Sequence, residues 1–201
     1  MSPRFVIKTQ KAHCMEGSML AAAALEFNGF RPFVMDLRSV KPGDDDHVVA
    51  VFRRFGHFGA ISKTNHGVLR YREPIYKTPR ELALSYFHEY FLKDGKKTLR
   101  EYSEVFDLGY FDKASLVFNH PASVASAPLL EKEGSGPSSS PFKGEARRGE
   151  NWRTSEKDLF EIPAKLDKIK HYKILTPAQI KNLRLADKIE IKAGEIVEWK
   201  K

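Results

Sequence analysis

Apolar and polar positions change rhythm several times along this chain, and each change marks an element. In "KAHCMEGSMLAAAALEF" (11–27), Ala12, Met15, Met19, Leu20, Ala22, Ala23, Ala24 and Leu25 cover most of a helical circumference. A helix apolar nearly all round is a buried one. The pattern predicts a central helix from about Lys11 to Phe27, capped by Thr9 and stopped at "NGF" (28–30). Extended runs follow. "RPFVMDL" (31–37), "HVVAVFRR" (47–54) and "FGAIS" (58–62) are rich in Val and Phe, with "KPGDDD" and "RFGH" as turns between them. "LRYREPIYK" (69–77) is a fourth, demoted by Pro74 to an edge or a loop.

Start signals then mark two helices. Thr78, Pro79 and Glu81 form a capping-box start, and the helix runs to a stop at Asp94-Gly95. "TPAQ" (176–179) opens another through about Ala186, and "KIEIKAGEIVEWK" (188–200) alternates around Ala193-Gly194 like a terminal hairpin. The expected architecture is α+β: a Cys-bearing buried helix packed on a small antiparallel sheet, with C-terminal helices and a hairpin. Residues 1–125 form the core and following helix. Residues 126–151, rich in Ser, Gly, Pro and charge, bury too little to offset their ordering entropy and make a disordered low-complexity insertion. Residues 152–201 pack back on the core.

Composition narrows the classes. The chain has 201 residues, 41% hydrophobic and 30% charged, which fits a soluble globular protein. No apolar run approaches the roughly 18–20 residues that span a bilayer. "MSPRFVIKTQK" lacks the apolar core of a secretory signal. A single cysteine forms no internal disulfide, so the cytoplasm is the expected compartment. The formal net charge of +8 raises the question of a polyanionic partner. Lys and Arg are scattered among acids with no run of five, so a solvated basic surface is the favoured explanation. "LRYREPIYK" interleaves Arg70, Arg72 and Lys77 with Tyr71 and Tyr76, a mix that also binds nucleic acid. Packing over a sheet edge with ion pairs to Glu73 and Glu81 is preferred to it. His57, His66 and His88 lack the spacing of a metal site.

The candidate chemistry centres on Cys14. A lone cysteine in an alanine-rich helix is, without context, a small core residue. A helix N-terminus, however, favours the thiolate, and a histidine near in space takes and returns its proton. His47, heading a strand, fits that role. His13 and Glu16 diverge from Cys14 around the helix and fit poorly. The three aspartates before His47 are expected to hold it charged, a setting for a Cys–His ion pair.

Over residues 10 to 66, a cysteine opens an alanine-rich helix, "RPFVMDL" follows Gly29, a histidine heads "HVVAVF", and a glycine-aromatic turn comes next. This order resembles the transglutaminase-like superfamily, with its papain-like Cys-His core. The resemblance implies a thiol acyltransferase, or an amidase or peptidase, acting through a Cys14 thioester on a protein or peptide acyl substrate. It implies His47 as general base and acid, and no metal or organic cofactor. The third position departs from the family: Ser62 stands where an aspartate is usual, and no aspartate lies between Asp46 and Asp94. Asn65 is the better candidate to orient His47, and Ser62 the weaker one. Family members also often carry helices ahead of the cysteine. The rival expectation is a non-catalytic module on the same scaffold, holding an acidic partner or nucleic acid with its basic aromatic strip.

Overall fold

The computed structural model describes residues 1–41, 43–64, 66–113 and 151–194. The insertion expected at 126–151 therefore lies, apart from Asn151, outside the described residues, as do Asn65 and the last seven residues. Helix α1 (Pro3–Thr9) opens the chain; the Ser2 hydroxyl accepts the Phe5 N–H, with Pro3 in the first turn. Sequence reading missed this helix because it is too short to display a period. Gln10, at a left-handed φ of 55°, ends it. Helix α2 (Cys14–Phe27) then begins three residues later than expected. Thr9 is thus the end of α1 and not the cap of α2; the Glu16 carboxylate accepts the His13 N–H at 2.9 Å instead.

Strands β1 (Phe33–Arg38), β2 (His47–Arg54), β3 (His57–Ile61) and β4 (Tyr71–Tyr76) follow, the last after a short 3₁₀ turn at Gly67–Leu69. Helix α3 (Pro79–Phe87) leads to β5 (Glu101–Ser103), β6 (Phe106–Asp107) and α4 (Tyr110–Lys113). After the undescribed stretch come α5 (Glu161–Leu166), β7 (His171–Lys173), α6 (Pro177–Lys181) and α7 (Lys188–Gly194). The strands form one antiparallel sheet in the order β4-β3-β2-β1-β5-β7, with β6 also pairing β1. Pro74 sits in β4, an edge strand, where its missing N–H costs no ladder bond. In the β2–β3 hairpin, Phe55 and Gly56 both take positive φ, the requirement of a two-residue turn matched to strand twist. Gly56 adopts it freely.

The register places Met35, Leu37, Val49, Val51 and Ala60 on one face, against Leu82, Ala83 and Tyr86 of α3. Val34, Val48 and Ala50 face the other way, against Met19 and Ala22 of α2 and Trp152, Leu159, Ile162 and Leu166. Two covered faces explain why "HVVAVF" is continuously apolar and does not alternate.

Four expectations need correction. The Cys-bearing helix is not buried all round: it buries Ser18, Met19 and Ala22, while Phe27 is 82% exposed. Alanine is small enough to sit on either side of such a helix, so its abundance overstated the burial. Helix α3 stops at Phe87, because Tyr90 O accepts from Thr98 N–H and Phe91 bridges Lys97, turning the chain back before Gly95. Helix α6 likewise ends at Lys181, short of Ala186. The terminal hairpin is replaced over 188–194 by α7. There Asp187 Oδ1 accepts the Ile189 and Glu190 N–H groups, and Glu190 accepts the Asp187 N–H in return. This reciprocal cap outweighs the alternation of "KIEIKA".

The C-terminal segment is tied to the rest by Arg153. Its guanidinium pairs with Glu26 at the end of α2 and Asp112 in α4, both at 2.6 Å, over the Trp152 ring. Its carbonyl accepts the Arg4 N–H of α1. Arg153→Ala should cost roughly 2 kcal/mol, less than a fully buried network because all three charges keep some solvent contact. Urea unfolding of the variant against wild type measures it.

Candidate active site

The site is built around backbone groups that the sheet leaves unpaired. Pairing of β2 with β3 begins at Ala50↔Ile61, so residues 46–48 have no partner from β3. The first turn of α2 occupies that gap. The Ser18 hydroxyl donates to Val48 O, and the Cys14 thiol donates to Asp46 O at 3.8 Å. Gly17 makes the approach feasible, since a Cβ there would lie 2.2 Å from Lys63 Cβ. The Val48 and Met15 N–H groups also face the sulfur. Burial pushes the thiol pKa up; those two N–H groups oppose it, and the charges of Glu16 and Asp36 reinforce it. Desolvation outweighs the helix dipole, so Cys14 rests as a half-buried thiol.

His47 begins β2 opposite Leu37 and is buried. Its Nε2 shares a hydrogen bond with the hydroxyl of Ser62. Burial, helped by the positive charges of His66 and Lys63, lowers its pKa to about 4. The three aspartates do not hold it charged, contrary to the sequence expectation. Asp46 accepts from Ser39 N–H and pairs Lys41, and Asp44 accepts from the Thr98 hydroxyl, so both are spent on shaping the loop before β2.

Of the predicted residues, then, the structure joins His47 to Ser62 and seats Cys14 against the carbonyl one residue before His47. No hydrogen bond joins the sulfur to the imidazole. His47 shares the face of Leu37 and Val49, whereas α2 lies on the face of Val48, and the sulfur meets the strand at its backbone. Asn65, ranked above Ser62 from sequence, is outside the described residues.

Other groups at this end of the sheet escaped sequence reading. The Tyr90 hydroxyl donates to Asp45 O at 2.6 Å, and burial pushes its pKa up. Asp36, buried in β1 on the α2 face, lies 3.1 Å from His171 Nε2 and 3.3 Å from Arg38 Nε. His171 Nδ1 is 2.8 Å from Ile169 O and must carry a proton to bond it, so one further proton lies between Nε2 and Asp36. Burial raises the Asp36 pKa, against the hydrogen bond from His171. The one available signal was an acid inside the apolar run "FVMDL".

The basic aromatic strip is partly consumed by the fold. Arg72 donates to Ser85 and to Glu89 at 2.6 Å, and its guanidinium lies 4.2 Å from the Tyr86 ring centroid. Tyr71 stacks on Phe52. No helix among the described residues is long and apolar enough to cross a membrane. No protein-family model matches the sequence, and no curated protein is detectably similar to it.

Two outcomes follow from this geometry. His47 binds fewer protons folded than unfolded between its ordinary pKa of 6.5 and about 4, so stability rises with pH across that window and is lost on acidification. The loss from pH 7 to about pH 4.5 should be about 2–3 kcal/mol larger in wild type than in His47→Gln, by urea unfolding at both pH values. Gly17→Ala should destabilise by roughly 2 kcal/mol, because the contact with Lys63 Cβ forces helix and loop apart. Thermal unfolding checks it.

Proposed function

We propose that this chain is a thiol acyltransferase, or an amidase or peptidase, of the transglutaminase-like type, with Cys14 as nucleophile. The observation that carries the proposal is the seating of Cys14 at the start of α2, against the backbone leading into His47, with the imidazole bonded to a hydroxyl behind it. The resting pair is a neutral thiol and a neutral imidazole. The sulfur therefore loses its proton as the carbon–sulfur bond forms, with no preformed thiolate–imidazolium pair. In this reading His47, whose ring rests on the other face of β2 with Nε2 on Ser62, turns toward the sulfur to take that proton and delivers it to the leaving amine. The resulting thioester is discharged by an amine in a transferase or by water in a hydrolase. A hydroxyl at position 62 stabilises imidazolium less than the usual carboxylate does, which fits a His47 pKa set by burial.

Acetylation by p-nitrophenyl acetate tests the proposal. Wild type should release a burst of p-nitrophenolate and carry one acetyl group on Cys14, and Cys14→Ala should show neither. His47→Gln should slow the burst, and Ser62→Asp should speed it by about tenfold by supplying a negative charge to the imidazole. Acetylation of Cys14 no faster than in the urea-unfolded chain would exclude the nucleophile role.

A further inference from the structure

We infer a second site, away from Cys14, that binds an aliphatic carboxylate in the cavity between Val40, Arg100 and the stretch around Ile180. The cavity holds about 370 Å³, inside the roughly 300–1,000 Å³ of small-ligand pockets. Val40, Leu92, Ile180, Leu183 and Leu185 supply its apolar wall. Three of these, Val40, Ile180 and Leu185, are exposed, at 37%, 41% and 55%. Their gathering on one concave surface is what an absent apolar ligand would explain.

Charge defines the other end of that ligand. Lys96, Lys97, Arg100 and Arg184 line the cavity, and no acid among the described residues does. Two of the four are already neutralised, Lys96 by Asp94 at 3.1 Å and Arg184 by Glu190 at 2.9 Å. Lys97 and Arg100 form no ion pair within 4 Å among the described residues, though, behind the hydrogen bond from Arg184, the charge of Lys97 helps hold the Glu190 carboxyl below its ordinary pKa. Arg100 donates to the carbonyl of its neighbour Leu99, and burial disfavours its charge with nothing opposing it. Lys97 is buried, with its ammonium 3.5 Å from His88 Nδ1 and over the Phe87 ring. A partly desolvated guanidinium without a carboxylate is costly until an anion completes it. Apolar walls disfavour a fully hydrated inorganic anion, and among the described residues they carry no aromatic ring on which a base would stack. A medium-chain carboxylic acid satisfies both ends. This site is independent of the role proposed for Cys14.

Calorimetric titration of the full chain with octanoate, octylammonium and inorganic phosphate tests it. Octanoate should bind saturably at one site, with octylammonium and phosphate at least tenfold weaker. Arg100→Gln should weaken octanoate by about tenfold or more, the value of a charge-assisted hydrogen bond. Ile180→Glu, at a position exposed enough to leave folding intact, should abolish it with an unchanged thermal midpoint. Cys14→Ala should bind as wild type does, which separates this site from the acyl-transfer proposal. The inference is overturned by an absence of saturable octanoate binding. Phosphate binding as tightly as octanoate overturns it too, as does octanoate binding that survives both Arg100→Gln and Ile180→Glu.

Discussion

The structure depends on the burial of β2 from both sides. Val49 and Val51 lie under α3, and Val48 and Ala50 under α2 and the C-terminal segment. A strand so enclosed must satisfy every backbone group it carries. Where β3 stops pairing, at Ile61, the first turn of α2 takes over with Ser18 and Cys14. The position of the only cysteine thus follows from a hydrogen-bonding deficit in the sheet. Gly17 is the consequence, since nothing larger lets the helix descend beside Lys63.

The same enclosure sets the electrostatics. A helix start and nearby N–H groups favour a thiolate at Cys14, and three aspartates precede His47, yet burial dominates at both. The thiol is held protonated and the imidazole neutral. Ser62 adds a hydrogen bond without adding charge, so it does not reverse this balance. An acid at that position would change the charge state and not only the geometry. Charge compensation elsewhere is uneven. Arg153 and Arg72 are fully engaged by acids and rings, whereas Arg100 is not.

Much of this was legible in the chain. The four strands from 31 to 77, the edge character imposed by Pro74, and the Thr78 and Thr176 caps are local signals, set by β-branched content and side-chain bonds to nearby N–H groups. Less local features were not. β5, β6 and β7 are two or three residues long and exist only because β1 and β5 offer free edges to pair. The His171 side chain reaches Asp36 across 135 residues, so that link carries no pattern in the sequence. Asn65 outranked Ser62 on chemistry alone, whereas the hydroxyl beside the ring is set by where β3 ends.

The sequence by itself determined the α+β class, the helix that begins near Cys14, and the strand headed by His47, because capping and hydrophobic pattern act over a few residues. Only the tertiary structure decided the charge states of Cys14 and His47, the partner behind the imidazole, and which cations lack an acid. Those depend on how much water is removed around each group, and desolvation is a property of the packed whole.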